Sequence, residues 1–346
     1  NMAQDEIWVR TSLDPRLQQM ADTQLKAHAP RLKRQGISNA ACVVIELETR
    51  QVRAMVGSLD FFDTLSQGQI NGAYIKRSPG SALKPFMYAQ AMDDGLVMPG
   101  SVLLDVPTDY AGYSPQNYDQ RYRGMVTMQK ALSQSLNVPA VRLLAASGLE
   151  DFHLLLMNAG LELDENPWNY GLPLVLGVGE VTLLDLTNVY ADLAQGGVHR
   201  PWSIMHGDET PGQGVRLFSP EAAWLITEIM TDIQRPDMPR AWDLTRDMPD
   251  VAWKTGTSFG HRDAWALGFS EKYAIGVWTG NFNGESVKGI SGAAHAGPIL
   301  FDLFRTIEPG ANIVKPTGLN IDTVKLCAHS GNLPGPDCDQ LVTSYY

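Results

Sequence analysis

Apolar residues recur along this chain in two periods, one helical and one extended, and the switches between them outline the fold. Leu17, Met20, Leu25 and Leu32 mark a surface helix over residues 12–36, with Pro15 near its start and Gly36 at its end. Two β-rich runs, Ala40–Glu46 and Gln51–Gly57, flank the turn Glu48-Thr49-Arg50 and predict a hairpin. After a loop to Gly80, the stretch Ser81–Met92 is apolar on nearly every side, which predicts a buried helix. Residues 97–126 are rich in Pro, Tyr, Gly and Asn and read as irregular. Thr127 is placed to cap a helix over Met128–Ser135. Asn137-Val138-Pro139 then restarts a helix that Gly148 stops. Further helices are predicted over Thr182–Gln195, from Ser219 to about Gln234, and over Ser291–Ile307. Between the last two lie three strands, Val251–Thr257, Asp263–Phe269 and Tyr273–Gly280.

Two strands, a helical middle, three strands and a closing helix predict an α+β fold. Its three α/β/α layers hold a five-stranded antiparallel sheet covered by helices on both faces. One domain is expected over residues 38–310. A linker (1–37) precedes it and a Pro- and Gly-rich extension (311–346) follows it. Asn1 precedes Met2, which predicts a chain cut from a longer protein. No run approaches the roughly 18 apolar residues of a membrane span, and no signal peptide opens the chain.

Composition narrows the function classes. The 346 residues carry 27 basic and 38 acidic side chains, a formal charge of −11. That balance argues against a nucleic-acid or anionic-lipid surface. Three cysteines cannot build a disulfide framework. Cys42 reads as a core residue. Cys327 and Cys338 stay open between free thiols and a disulfide, which an oxidising compartment favours. The seven histidines show no metal spacing, so neither metal nor cofactor is expected.

Three short motifs carry the chemistry: Ser81-x-x-Lys84, Ser135-x-Asn137 and Lys254-Thr255-Gly256-Thr257. Each is weak alone. Their order and setting, on a buried helix, a helix break and a strand, make one shared site the better reading. A serine hydroxyl needs a base, and a lysine three residues later lies one helical turn away on the same face. Such a lysine is a base only when neutral, and burial beside a second cation, Lys254, favours that form. Ser135 is placed to pass protons, and Asn137 to hold substrate backbone. Gly256 lets a substrate approach the strand edge, and Thr255 and Thr257 with Lys254 suit a carboxylate. The backbone N–H groups of Ser81 and Thr257 are candidates for an oxyanion hole.

Beyond the motifs, Ser78-Pro79-Gly80, Lys84-Pro85-Phe86, Tyr113–Asp119, Gly179–Thr182, Lys254–Ser258 and Arg262–Trp265 resemble the transpeptidase domain of class A, bifunctional penicillin-binding proteins, most of all the 1C subfamily. The resemblance spans roughly residues 10–340. It implies the serine β-lactamase/D,D-transpeptidase-like fold and a peptidoglycan D,D-transpeptidase that works through a Ser81 acyl-enzyme with release of D-Ala. It also implies acylation by β-lactam antibiotics. The partners it implies are peptidoglycan stem peptides and other cell-wall synthesis proteins. An N-terminal glycosyltransferase, a membrane anchor and a further C-terminal domain would lie outside this chain. The site would face the periplasm, and contact with the membrane would come only through the missing anchor. D,D-carboxypeptidase, β-lactamase and β-lactam sensor or scaffold are the alternatives. A class A β-lactamase needs a deacylating glutamate, and the nearest pattern, Glu180-Val181-Thr182, lacks its usual Asn.

Overall fold

A computed structural model of the chain describes residues 8–207, 212, 214–236 and 248–345; the first seven residues of the expected linker lie outside it. The chain runs through α1 (Pro15–Arg34), β1 (Asn39–Glu46), β2 (Val52–Val56), a 3₁₀ turn (Gly80–Leu83) leading into α2 (Lys84–Asp93), β3 (Val102–Asp105) and β4 (Gly124–Thr127). The helical middle holds α3 (Met128–Ser133), α4 (Asn137–Ser147), α5 (Leu149–Asn158) and α6 (Leu183–Ala194), followed by the short strands β5 (Val198–His199) and β6 (Val215–Arg216) and by α7 (Pro220–Thr231). Strands β7 (Ala252–Thr257), β8 (Asp263–Phe269) and β9 (Tyr273–Gly280) come next. A π-helical turn (Gly292–Ala296) leads into α8 (Gly297–Ile307), and the hairpin β10 (Thr323–Cys327) and β11 (Leu341–Tyr345) closes the described chain.

The main sheet has five antiparallel strands in the order β2-β1-β9-β8-β7. Its strands read as continuous apolar runs because both faces are covered. On β1, Ala41, Val43 and Ile45 enter one core, while Ala40, Cys42 and Val44 enter the other. The first core is shared with α2 and α4–α7, the second with α1 and α8. The predicted three-layer α/β/α fold is therefore the observed one. Helix α1 is no detached connector: it buries Ala21, Leu25 and Leu32 in the second core. Its Gln18 side chain also donates to Met55 O and accepts from Met55 N, at 2.9 and 2.8 Å, blunting the exposed edge of β2. At the opposite edge, β7 pairs with β8 alone among the described strands.

Four local expectations change. Residues 97–126 are not wholly irregular, because Val102–Asp105 pairs with Gly124–Thr127 across the loop. Ser81 sits in a 3₁₀ turn, with the α-helix beginning at Lys84. Helix α3 ends at Ser133 because Ser135 adopts a left-handed φ of 56°. The last helix starts as a π-turn, capped by the Ser291 side chain. Of the two states left open for Cys327 and Cys338, the structure holds the unbonded one. Both cysteines are free thiols that share a hydrogen bond, which pushes Cys327 down to about 7. Among the described residues no helix is long and apolar enough to cross a membrane.

Candidate active site

The site forms where three backbone segments meet with no side chain between them. A Cβ on Gly256 would lie 2.0 Å from Pro79 O, and one on Gly80 2.3 Å from Thr257 O. One on Gly177 would lie 2.2 Å from Gly80 N. Only glycine permits these approaches, and Gly80 and Gly177 also have φ of +58° and +81°. Ser78 Oγ donates to Gly177 O at 2.6 Å, and Trp265 Nε1 donates to Ser78 O at 2.9 Å. The turn that carries Ser81 is thus pinned to β8 and to the 177 loop. From the other layer, Tyr190 on α6 donates its hydroxyl to Ala82 O at 2.8 Å and packs edge-on against Phe86.

Two lysines meet behind this turn. Lys84 is fully buried, and its Nζ donates to Asn137 Oδ1 at 2.7 Å and to Ser135 O at 2.8 Å. Lys254 is equally buried, and its Nζ donates to Ser135 Oγ at 2.8 Å and to Thr255 O at 3.1 Å. Ser135 therefore bridges both amines, its carbonyl to one and its hydroxyl to the other. Its left-handed backbone is unusual for a residue with a side chain, and such strain is concentrated at functional sites. Burial, and then the charge of Lys254, push Lys84 well below the usual lysine range. Burial pushes Lys254 down to about 7. One amine of the pair is thus readily neutral while the other is still charged.

Strand β7 supplies the remaining groups. Ser258 N donates to Asp263 O on β8, so the alternation of an antiparallel ladder turns Thr257 N–H toward the free edge. That edge faces the Ser81 turn, as the Gly80–Thr257 approach shows. Alternation also puts Lys254 and Gly256 on one face and Thr255 and Thr257 on the other. Thr257 Oγ1 accepts from Gly292 N at 3.2 Å, which leaves its hydroxyl proton for a ligand. Ser258 Oγ accepts from Arg262 N and Asp263 N and fixes the turn beyond the motif. At the rim, Tyr118 meets His261 edge-on at 5.9 Å, and Phe259 is fully exposed.

All eight residues expected at the site converge here, with one change of emphasis. Asn137 turns inward: its Oδ1 receives Lys84, and its Nδ2 donates to Gln116 O at 2.8 Å. Sequence reasoning assigned no role to Gln116, Asn117, Gly177, Tyr190 or Gly292. Gln116 and Asn117 lie in the Tyr113–Asp119 stretch that carries the resemblance, but the others carried no local signal. A cavity of about 420 Å³ lies beside Ala194, Phe269 and Ser270, at the end of β8 remote from Thr257, and includes none of the motif residues. Among the described residues no His, Cys, Asp and Glu cluster could hold a metal ion.

Comparison with known proteins agrees with this geometry. The family model of the penicillin binding protein transpeptidase domain matches residues 40–283. Penicillin-binding protein 1C of Escherichia coli K12 is 39% identical over 296 residues, covering 84% of this chain and 37% of that protein. Penicillin-binding protein 1A of Neisseria cinerea is 30% identical, over 77% of this chain and 35% of that protein. The chain thus spans little more than a third of the length of these relatives. Among solved structures, PonA1 of Mycobacterium tuberculosis in complex with penicillin V has the same fold, with a TM-score of 0.74 at 21% identity over 95% of this chain and 92% of that one. Penicillin-binding protein 1A of Haemophilus influenzae follows at 0.72 and 22%, over 88% of this chain and 53% of that one. With its serine, paired lysines and edge strand in this arrangement, and with the family model matching most of its length, the chain belongs to the transpeptidase domains of the class A penicillin-binding proteins.

Proposed function

We propose that Ser81 is the nucleophile of a D,D-transpeptidation that cross-links peptidoglycan stem peptides. The two buried lysines meeting at Ser135, beside an open strand edge, carry the reading. Ser81 Oγ gives its proton to neutral Lys84 and bonds to the carbonyl carbon of the D-Ala-D-Ala peptide. The N–H groups of Ser81 and Thr257 receive the oxyanion. The C–N bond breaks, and the leaving D-Ala amine takes a proton through Ser135 from the lysine pair. An acceptor amine then attacks the ester and loses its proton to the same pair, which returns a proton to Ser81 Oγ as the ester C–O bond breaks. Protonated Lys254 and the hydroxyls of Thr255 and Thr257 hold the substrate carboxylate. A β-lactam mimics the donor peptide, but its amine stays tethered after ring opening. In the longer parent protein this domain would follow a membrane anchor and a glycosyltransferase and face the extracytoplasmic cell wall, where other cell-wall synthesis proteins are its partners.

Incubation with a labelled penicillin, followed by intact mass, tests the assignment. A single adduct on Ser81 is expected, absent in Ser81→Ala and stable for hours. Glu180, the glutamate of the sequence pattern closest to a deacylating one, is exposed. Rapid drug turnover would indicate a β-lactamase, and release of D-Ala without transfer to an added amine would indicate a carboxypeptidase.

The pH profile follows from the two lysines. Acylation rises with pH as the lowered Lys84 loses its proton. It falls above about 7 as Lys254 loses the charge that holds the carboxylate. A β-lactam ester without that carboxylate should lose the alkaline limb. Stopped-flow acylation from pH 5 to 9 measures both, and an unchanged alkaline limb would refute the role given to Lys254.

A further inference from the structure

Helix α4 begins at Asn137 without a capping side chain of its own, because Leu136 occupies the cap position. Its first N–H groups are instead met from 20 residues away. Asn117 Oδ1 accepts from Asn137 N at 2.8 Å and from Val138 N at 3.3 Å. The other end of the same carboxamide is held as firmly. Asn117 Nδ2 donates to both oxygens of Asp105, at 2.7 and 2.9 Å, and to Arg121 O at 2.8 Å. Asp105 ends β3, is fully buried, and accepts one more hydrogen bond, from Arg123 N at 2.9 Å. Its carboxylate is therefore met by amide N–H groups alone among the described residues, with no ion pair.

We propose that Asp105 and Asn117 form a positioning dyad for acyl transfer, a distant cap that fixes Asn137 and, through its carboxamide, Lys84. The dyad holds the backbone of Asn137, while the neighbouring Gln116 carbonyl holds its side-chain Nδ2. Asn137 Oδ1 is thereby aimed at Lys84 Nζ. The 116–117 loop thus acts on the base without touching substrate. A carboxylate at position 105 orients the Asn117 amide without ambiguity, because it only accepts. An amide in its place would face a donor against a donor. The Asp105–Asn117 pair is polar, buried and saturated with hydrogen bonds, the condition under which such networks specify one geometry.

The proposal rests on the Ser81 acylation reading, and stopped-flow kinetics with benzylpenicillin separate the two. Asp105→Asn and Asn117→Asp should each slow the acylation step by about 100-fold, the scale of a misplaced catalytic group. The dissociation constant of the preceding non-covalent complex should change less than threefold, since neither residue meets the ligand. Asn117→Asp fails because two carboxylates then face each other. The double variant reverses the pair, at the cost of the hydrogen bond to Arg121 O: the new amide at 105 donates to the new carboxylate at 117, which still accepts from Asn137 N and Val138 N. It should regain at least tenfold in acylation over either single variant. A structural role alone would lower the melting temperature without this split between rate and affinity, and without the rescue. Single variants that acylate at the wild-type rate, or a double variant no faster than the singles, would overturn the dyad alone. A wild-type protein that forms no adduct would overturn the Ser81 reading and the dyad with it.

Discussion

Lys84→Met is expected to abolish acylation of Ser81 while leaving the fold in place. A general base contributes about 10²–10⁴-fold, and the other amine of the site is not free to replace this one. Lys254 is already engaged with Ser135 Oγ and Thr255 O, and it lies on a strand across the site. Methionine matches the unbranched aliphatic stem of lysine, and α2 buries that stem among apolar side chains. What the variant loses are the hydrogen bonds to Ser135 O and Asn137 Oδ1. Two orphaned acceptors cost about 1–3 kcal/mol each when left unmet, which sets the upper limit of any destabilisation. Circular dichroism and intact mass after penicillin together check the expectation. A folded Lys84→Met protein that acylates at the wild-type rate would eliminate Lys84 as the base.

Lys254→Met should be inactive as well, yet more stable than the parent at pH 6. A lysine free in the unfolded chain keeps its proton to about 10.5, whereas the folded protein holds it only to about 7. Between those values the unfolded chain binds more protons, so stability rises with pH across that window. Below about 7 both states are protonated and the full cost of the buried charge is present, on the order of 5 kcal/mol. Methionine removes that term. Losing the donor to Ser135 Oγ and Thr255 O offsets about 1–3 kcal/mol of the gain. Denaturant unfolding at pH 6 and pH 9 should show an advantage for the variant that shrinks at the higher pH. A variant less stable than the parent at both values would show that Lys254 is not held at such a cost. A residue that lowers stability where it sits is one retained for function.

The main sheet was legible in the chain because each strand is a run of apolar residues ended by Gly or a charged turn. Val251–Thr257, Asp263–Phe269 and Tyr273–Gly280 were read within one residue of β7, β8 and β9. Covering both faces imposes that pattern on the composition. The β3–β4 pair escaped because its members are four residues long and lie in a segment dominated by turn formers. The 3₁₀ start before α2 escaped because apolar periodicity does not distinguish it from an α-helical turn. The short spacing of Cys327 and Cys338 brought the sulfurs together without telling whether they bond.

The sequence by itself determined the identity and order of the groups proposed to react: a serine one turn from Lys84, a Ser-x-Asn break, and a lysine on an edge strand. Those rest on local spacing, which the periods of helix and strand translate into shared faces. Only the tertiary structure decided how the groups act on each other. The left-handed Ser135, the inward-facing Asn137 and the Asp105–Asn117 cap join residues from 12 to 119 positions apart. Their pairing follows from packing and from the need to satisfy buried polar groups, and neither leaves a periodic trace in the chain. The lowered proton affinities of the two lysines arise in the same way, since burial and mutual repulsion exist only once both layers have closed on the sheet.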